Sequence, residues 1–128
     1  MQSPCKESEA VPFRNSVFVI PNSTQMPFVK IVVYTPLSHA DKIRQVLAQS
    51  GAGHIGNYDF CSFSVKGIGR FRPIKGAKPF VGQEGKIEEV EEERIETICE
   101  QKEVQQIIKE VKKIHPYEEP AIDVYPVI

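Results

Sequence analysis

Two helix patterns, each flanked by strand-like runs, constrain the fold of this chain more than any single motif. The second helix is the cleaner. Val104, Ile107, Ile108 and Val111 recur at i, i+3, i+4 and i+7, and Lys102, Glu103, Gln106, Lys109, Glu110 and Lys113 fill other positions. That spacing lays one apolar stripe along a helix. Pro116 ends it by disfavouring helical geometry at His115. The first helix places Ala40, Ile43, Val46 and Leu47 at helical spacing and stops at Gly51. Ser38 is its expected cap, with Asp41 near the positive helix end.

The strand pattern completes the order. Phe28 to Tyr34 is a β-branched and aromatic run ending at Thr35-Pro36. A second strand is expected over Tyr58 to Val65, where Cys61, Phe63 and Val65 alternate with Ser62 and Ser64, before Gly67-Ile-Gly loosens it. A Pro/Gly-rich segment follows, from about Phe71 to Gly85. The third strand, Ile87 to Cys99, has mixed phase. Glu91, Glu93, Ile95, Thr97 and Cys99 share one face, and Val90, Glu92, Arg94, Glu96 and Ile98 the other. A bulge, or partial exposure of both faces, reconciles this. A last strand runs from Ala121 to Val127. Strand, helix, strand, strand, helix, strand is the α+β, ferredoxin-like βαββαβ plait with an antiparallel sheet. Two helices cover one sheet face, so the other meets solvent or a partner, and self-assembly is expected.

At 128 residues the chain is long enough for one self-sufficient core. Its net charge of −1 gives no global reason to expect nucleic acid or a membrane surface. Cys5, Cys61 and Cys99 include no CxxC pair, which argues against a zinc ribbon or disulfide framework and for reduced thiols in a cytoplasmic protein. Residues 1 to 27, with prolines at 4, 12, 21 and 27, read as an extension, partly ordered if Val17 to Ile20 docks as a short strand. No signal peptide or membrane helix is expected there. The body is 28 to 128.

Three constellations are candidates for function. The first is Gly51-Ala-Gly-His-Ile-Gly-Asn-Tyr-Asp-Phe-Cys, where His54 and Cys61 suit a soft metal and Tyr58 a ligand contact. The alternative is a structural corner with Cys61 in the core. The second is His115-Pro-Tyr-Glu-Glu-Pro. His115 at a helix end has its protonated form favoured by the dipole, and Tyr117, Glu118 and Glu119 leave on a Pro-flanked turn. The alternative there is Tyr117 locking the loop onto the body. The third is the basic, glycine-bearing loop 66 to 85, whose Arg70, Arg72, Lys75 and Lys78 suit an anion, or else simply stay solvated. No Walker or dinucleotide spacing accompanies it. The acidic run Glu88 to Glu96 reads as a solvated strand face, and His39 as a helix-start contact.

Gly51-Ala-Gly-His-Ile-Gly-Asn-Tyr-Asp-Phe-Cys-Ser-Phe, Gly67-Ile-Gly-Arg-Phe-Arg-Pro, Gly76-Ala-Lys-Pro-Phe-Val-Gly, Glu92-Glu-Arg-Ile-Glu-Thr-Ile and His115-Pro-Tyr-Glu-Glu-Pro together resemble a known pattern. It is the YqfO-type insert domain of hexameric dinuclear-metal-centre proteins, the family named after an NGG-interacting factor. That insert is similar in fold to CutA and PII proteins, which are trimers. The resemblance spans about 28 to 128. The family's metal centre belongs to flanking domains that these residues do not include, so its chemistry is not carried over.

The resulting expectation is a free-standing, non-enzymatic, cytoplasmic module with no catalytic residues, assembling as a homotrimer. It would hold a small molecule or ion in clefts between subunits, through Tyr58, Arg70, Arg72, Lys75, Tyr117 and Glu119. The alternatives are a divalent-metal protein using His54, Cys61, His115 and Glu118, or an accessory domain docking onto a separate protein.

Overall fold

The structure, a computed structural model, describes residues 27–128. The expectations for residues 1 to 26, including the Val17 to Ile20 strand and Cys5, lie outside the described residues. Six main elements follow in order: β1 (Phe28–Pro36), α1 (Ala40–Gln49), β2 (Phe63–Phe71), β3 (Glu88–Glu100), α2 (Val104–Ile114) and β4 (Ile122–Pro126). The strands form one antiparallel sheet in the order β2-β3-β1-β4, the ferredoxin-like plait.

Both helices bury the stripes read from the sequence. α2 buries Val104, Ile107, Ile108 and Val111, and His115 turns to an extended backbone (φ −70°, ψ 134°) before Pro116. α1 buries Ala40, Ile43 and Leu47. These meet Val29, Ile31 and Val33 of β1, Ile95 and Cys99 of β3, and Ile122 and Val124 of β4 in one core. Alternation along each strand sends these residues to the helix side of the sheet.

Ser38 does not cap α1. A 3-10 turn over Leu37–His39 moves the helix entrance past it. Its hydroxyl instead meets His39 Nδ1 at 2.8 Å.

β2 also departs from the expected Tyr58 to Val65. It begins at Phe63 and runs through both Gly67 and Gly69 to Phe71. Residues 55 to 58 close a tight turn through Ile55 N–H to Tyr58 O (2.8 Å) and Tyr58 N–H to Ile55 O (2.9 Å). Phe60 then adopts φ 58°, which breaks any extended run before Phe63. The mixed phase of β3 comes from partial exposure, without a bulge. Pairing is continuous from Phe28↔Glu100 to Pro36↔Glu92 on one side and from Phe63↔Glu96 to Phe71↔Glu88 on the other.

Replacing Ile107, which is fully buried, with Ala removes core volume that the two packed layers cannot refill. The expected cost is about 2–5 kcal/mol in urea unfolding, with the slope unchanged.

Candidate functional site

The glycine-rich corner is tied to β3. Gly53 donates its N–H to Ile98 O at 2.7 Å, Cys61 returns its N–H to Gly53 O at 2.9 Å, and Thr97 Oγ1 donates to Cys61 O at 2.6 Å. Gly53 sits at φ 85°, and a Cβ there would meet Cys61 O at 2.6 Å. Glycine is therefore required for the close crossing. Phe60 holds a left-handed backbone at an expected cost on the order of 1–3 kcal/mol. His54 turns onto its own loop, Nε2 donating to Gly56 O at 3.0 Å. Tyr58 is 74% exposed, and Cys61 is half-buried.

The second candidate is built at the far end of β1. His115 is buried, its Nε2 donates to Tyr34 O at 2.7 Å, and its Nδ1 accepts the Tyr117 N–H at 3.1 Å. Both ring nitrogens are thus committed in the neutral form with the proton on Nε2. A second ring proton would face the Tyr117 N–H. Burial pushes His115 below the ordinary imidazole value, outweighing the rise from the Tyr34 carbonyl. The expectation that the helix dipole keeps His115 protonated is therefore overturned, because desolvation opposes the charge.

Tyr117 is also buried, and its hydroxyl donates to Glu92 Oε2 at 2.6 Å. Burial, then the Glu92 carboxylate, pushes that phenol far above its ordinary range. Glu92 is only 3% exposed and lies over Gly69, where any Cβ would collide with its carboxylate. Glu93 is buried as well and takes the Arg44 guanidinium, which also bonds Asp41 (2.6 Å) and Ser64 (3.0 Å). The Asp41 bond first, then that of Glu93, raises Arg44 above its ordinary value. Glu92 and Glu93 correct the reading of a solvated acidic face. An acidic run hides buried members, since periodicity marks faces and not partners. Two signals were available: Gly69 opposite the run, and Arg44 facing it from α1.

The basic loop packs on this second site. Glu118 accepts the Lys78 N–H at 2.9 Å, and the Phe80 ring lies 6.3 Å from Tyr117 and edge-on to His39 at 5.8 Å. Arg70 pairs with Glu89 at 2.9 Å, whereas Arg72, Lys75 and Glu119 are exposed. The turn and the loop thus come together, and the corner does not join them. The corner hangs on Thr97 and Ile98, while Tyr117 reaches Glu92, five residues away along β3. That is on the order of 16 Å at 3.3 Å per residue. His54, Cys61, His115 and Glu118 are not assembled, and no cluster of three or more metal-ligating side chains occurs among the described residues. Cys99 is a core thiol, pushed up to about 11 by burial.

Comparison with known proteins places this geometry. A protein of Halalkalibacterium halodurans named GTP cyclohydrolase 1 type 2 homolog is 42% identical over 119 residues, 93% of this chain and 32% of its own length. The Bacillus subtilis protein of the same name is 42% identical over 120 residues, 94% of this chain and 32% of its own. A Bacillus cereus protein related to NIF3 superposes with a TM-score of 0.70 at 45% identity, covering 80% of this chain and 26% of that one. The chain is a YqfO-type domain of the NGG-interacting-factor family. It spans about a third of the length of the curated relatives it matches. The 119 matched residues exceed those from 28 to 128, so the likeness reaches into residues 1 to 27. No protein-family model matches. The CutA protein of Archaeoglobus fulgidus, described as a periplasmic divalent cation tolerance protein, shares the fold at a TM-score of 0.59 and 22% identity, over 78% of this chain and 83% of that one. The YqfO-type domain thus has the PII/CutA-like plait. No helix among its described residues is long and apolar enough to cross a membrane.

Tyr117→Phe should cost about 1–3 kcal/mol in urea unfolding, because the buried Glu92 carboxylate loses the hydrogen bond from the Tyr117 hydroxyl. His115 adds a pH dependence. The unfolded chain takes up its proton near pH 6.5, and the folded chain only at lower pH. Its stabilising contribution is fully present above pH 6.5 and is lost as pH falls below it. His115→Gln should flatten that part of the pH profile.

Proposed function

We propose that this domain is a non-enzymatic PII/CutA-like binding module that assembles as a homotrimer and holds a small ligand or ion in clefts between subunits. The observation that carries this reading is the uncovered edge and face at β2. Phe63 and Val65 are exposed there, opposite Glu96 and Arg94 in the register and so on the sheet face away from the helices. An edge strand of nine residues with exposed apolar side chains invites pairing with another chain. A cleft between subunits would draw Arg72, Lys75 and Glu119 from the loop and turn of one copy, and Tyr58 from the corner of another. Arg70 would have to exchange its Glu89 partner. Tyr117 contributes from beneath, by fixing the loop through Phe80.

Divalent-metal binding through His54, Cys61, His115 and Glu118 has less support. His115 has both nitrogens engaged, His54 turns onto its own loop, and Glu118 lies on the turn, away from the corner that carries Cys61.

Mass measured by light scattering should correspond to three chains, and Phe63→Glu with Val65→Glu should give monomers that remain folded. A wild-type monomer overturns the reading. In a thermal-shift screen of nucleotides and divalent ions, a ligand at 100 times its dissociation constant should stabilise by ~2.7 kcal/mol. No shift in a trimer would favour the alternative of an accessory domain that docks onto a separate protein.

A further inference from the structure

A cavity of about 260 Å³ opens between α1 and the glycine-rich corner. It lies within one chain and is separate from the loop and turn. Leu47, Ala48 and Ala52 give it an apolar wall. Phe60 stands beside it, half exposed, on the left-handed backbone described above. An exposed aromatic face held rigidly is a stacking surface for a planar ring. Gln45 and Ser62 supply the polar edge. A glutamine amide offers donors and an acceptor side by side, the pattern that reads an adenine-type edge.

Charge narrows the class further. Arg44 lines the cavity, but its guanidinium is already held by Asp41, Glu93 and Ser64, two carboxylates against one cation. A phosphate gains nothing from such a centre. The volume also lies below the ~300 Å³ lower end of ordinary small-molecule clefts, which suits a base or nucleoside better than a larger nucleotide.

We infer that this cavity binds a neutral heteroaromatic base or nucleoside, stacked against Phe60 and read along its donor–acceptor edge by Gln45 and Ser62.

Cys61 lines the same cavity and provides a local reporter, whereas Cys99 is buried. In protein carrying Cys5→Ser, alkylation of Cys61 by iodoacetamide is followed by mass spectrometry of the modified peptide. Saturating adenosine should slow it at least roughly fivefold, as occupancy by mass action requires. AMP at the same concentration should leave the rate nearly unchanged. Gln45→Ala, on an exposed helix position, and Phe60→Gly, which suits the left-handed backbone, should both fold and lose the protection. Isothermal titration with adenosine should show heat for the parent and none for either variant. Absence of slowing by millimolar adenosine, equal slowing by AMP, or protection retained in both variants would each overturn the inference.

Discussion

Two-sided pairing of β3 is the constraint on which the rest of the molecule depends. β1 pairs with it from Glu100 to Glu92, and β2 from Glu96 to Glu88. Only residues 92 to 96 therefore have a strand on each side, and there the sheet is most closed. Of the three carboxylates inside this doubly paired stretch, Glu92 and Glu93 are buried, on opposite faces. A buried carboxylate costs several kcal/mol unless it is bonded. Each accordingly has a dedicated partner, Tyr117 for Glu92 and Arg44 for Glu93. Those demands fix where α1 and the turn after α2 must lie against the sheet.

The candidate functional elements are thereby sorted into two places. The corner is stitched to Thr97 and Ile98 near one end of β3, and the turn is stitched to Tyr34 and Glu92 near the other. The loop between β2 and β3 follows the turn. One chain alone cannot bring the two groups to a common ligand, which is why the ligand reading of the loop and turn rests on a second copy. The cavity under α1 carries no such requirement.

The fold was legible because it is written in periodicity. The α2 stripe, the Pro116 stop and the β1 run each impose their element locally, and the α+β plait follows from their order. The site was less legible. The start of β2 depends on the φ of Phe60, a backbone state that no sequence pattern announces for a phenylalanine. Its continuation through Gly67 and Gly69 ran against the reading of glycine as a breaker, because Gly69 is there to admit the Glu92 carboxylate. Glu92 and Glu93 looked like their solvated neighbours, since burial depends on partners 25 and 49 residues distant in the chain. For His115 the sequence displayed the helix dipole and concealed the desolvation, and desolvation is the larger effect.

The contact between the loop and the turn has a further consequence. Glu118 holds Lys78 by the main-chain N–H, an attachment every residue except proline offers. With Phe80 packed on Tyr117, the charged side chains of the loop are therefore spared the work of anchoring it. Position and recognition are written in different atoms, so related chains can exchange the charges at 72, 75 and 78 and display new chemistry from an unchanged platform.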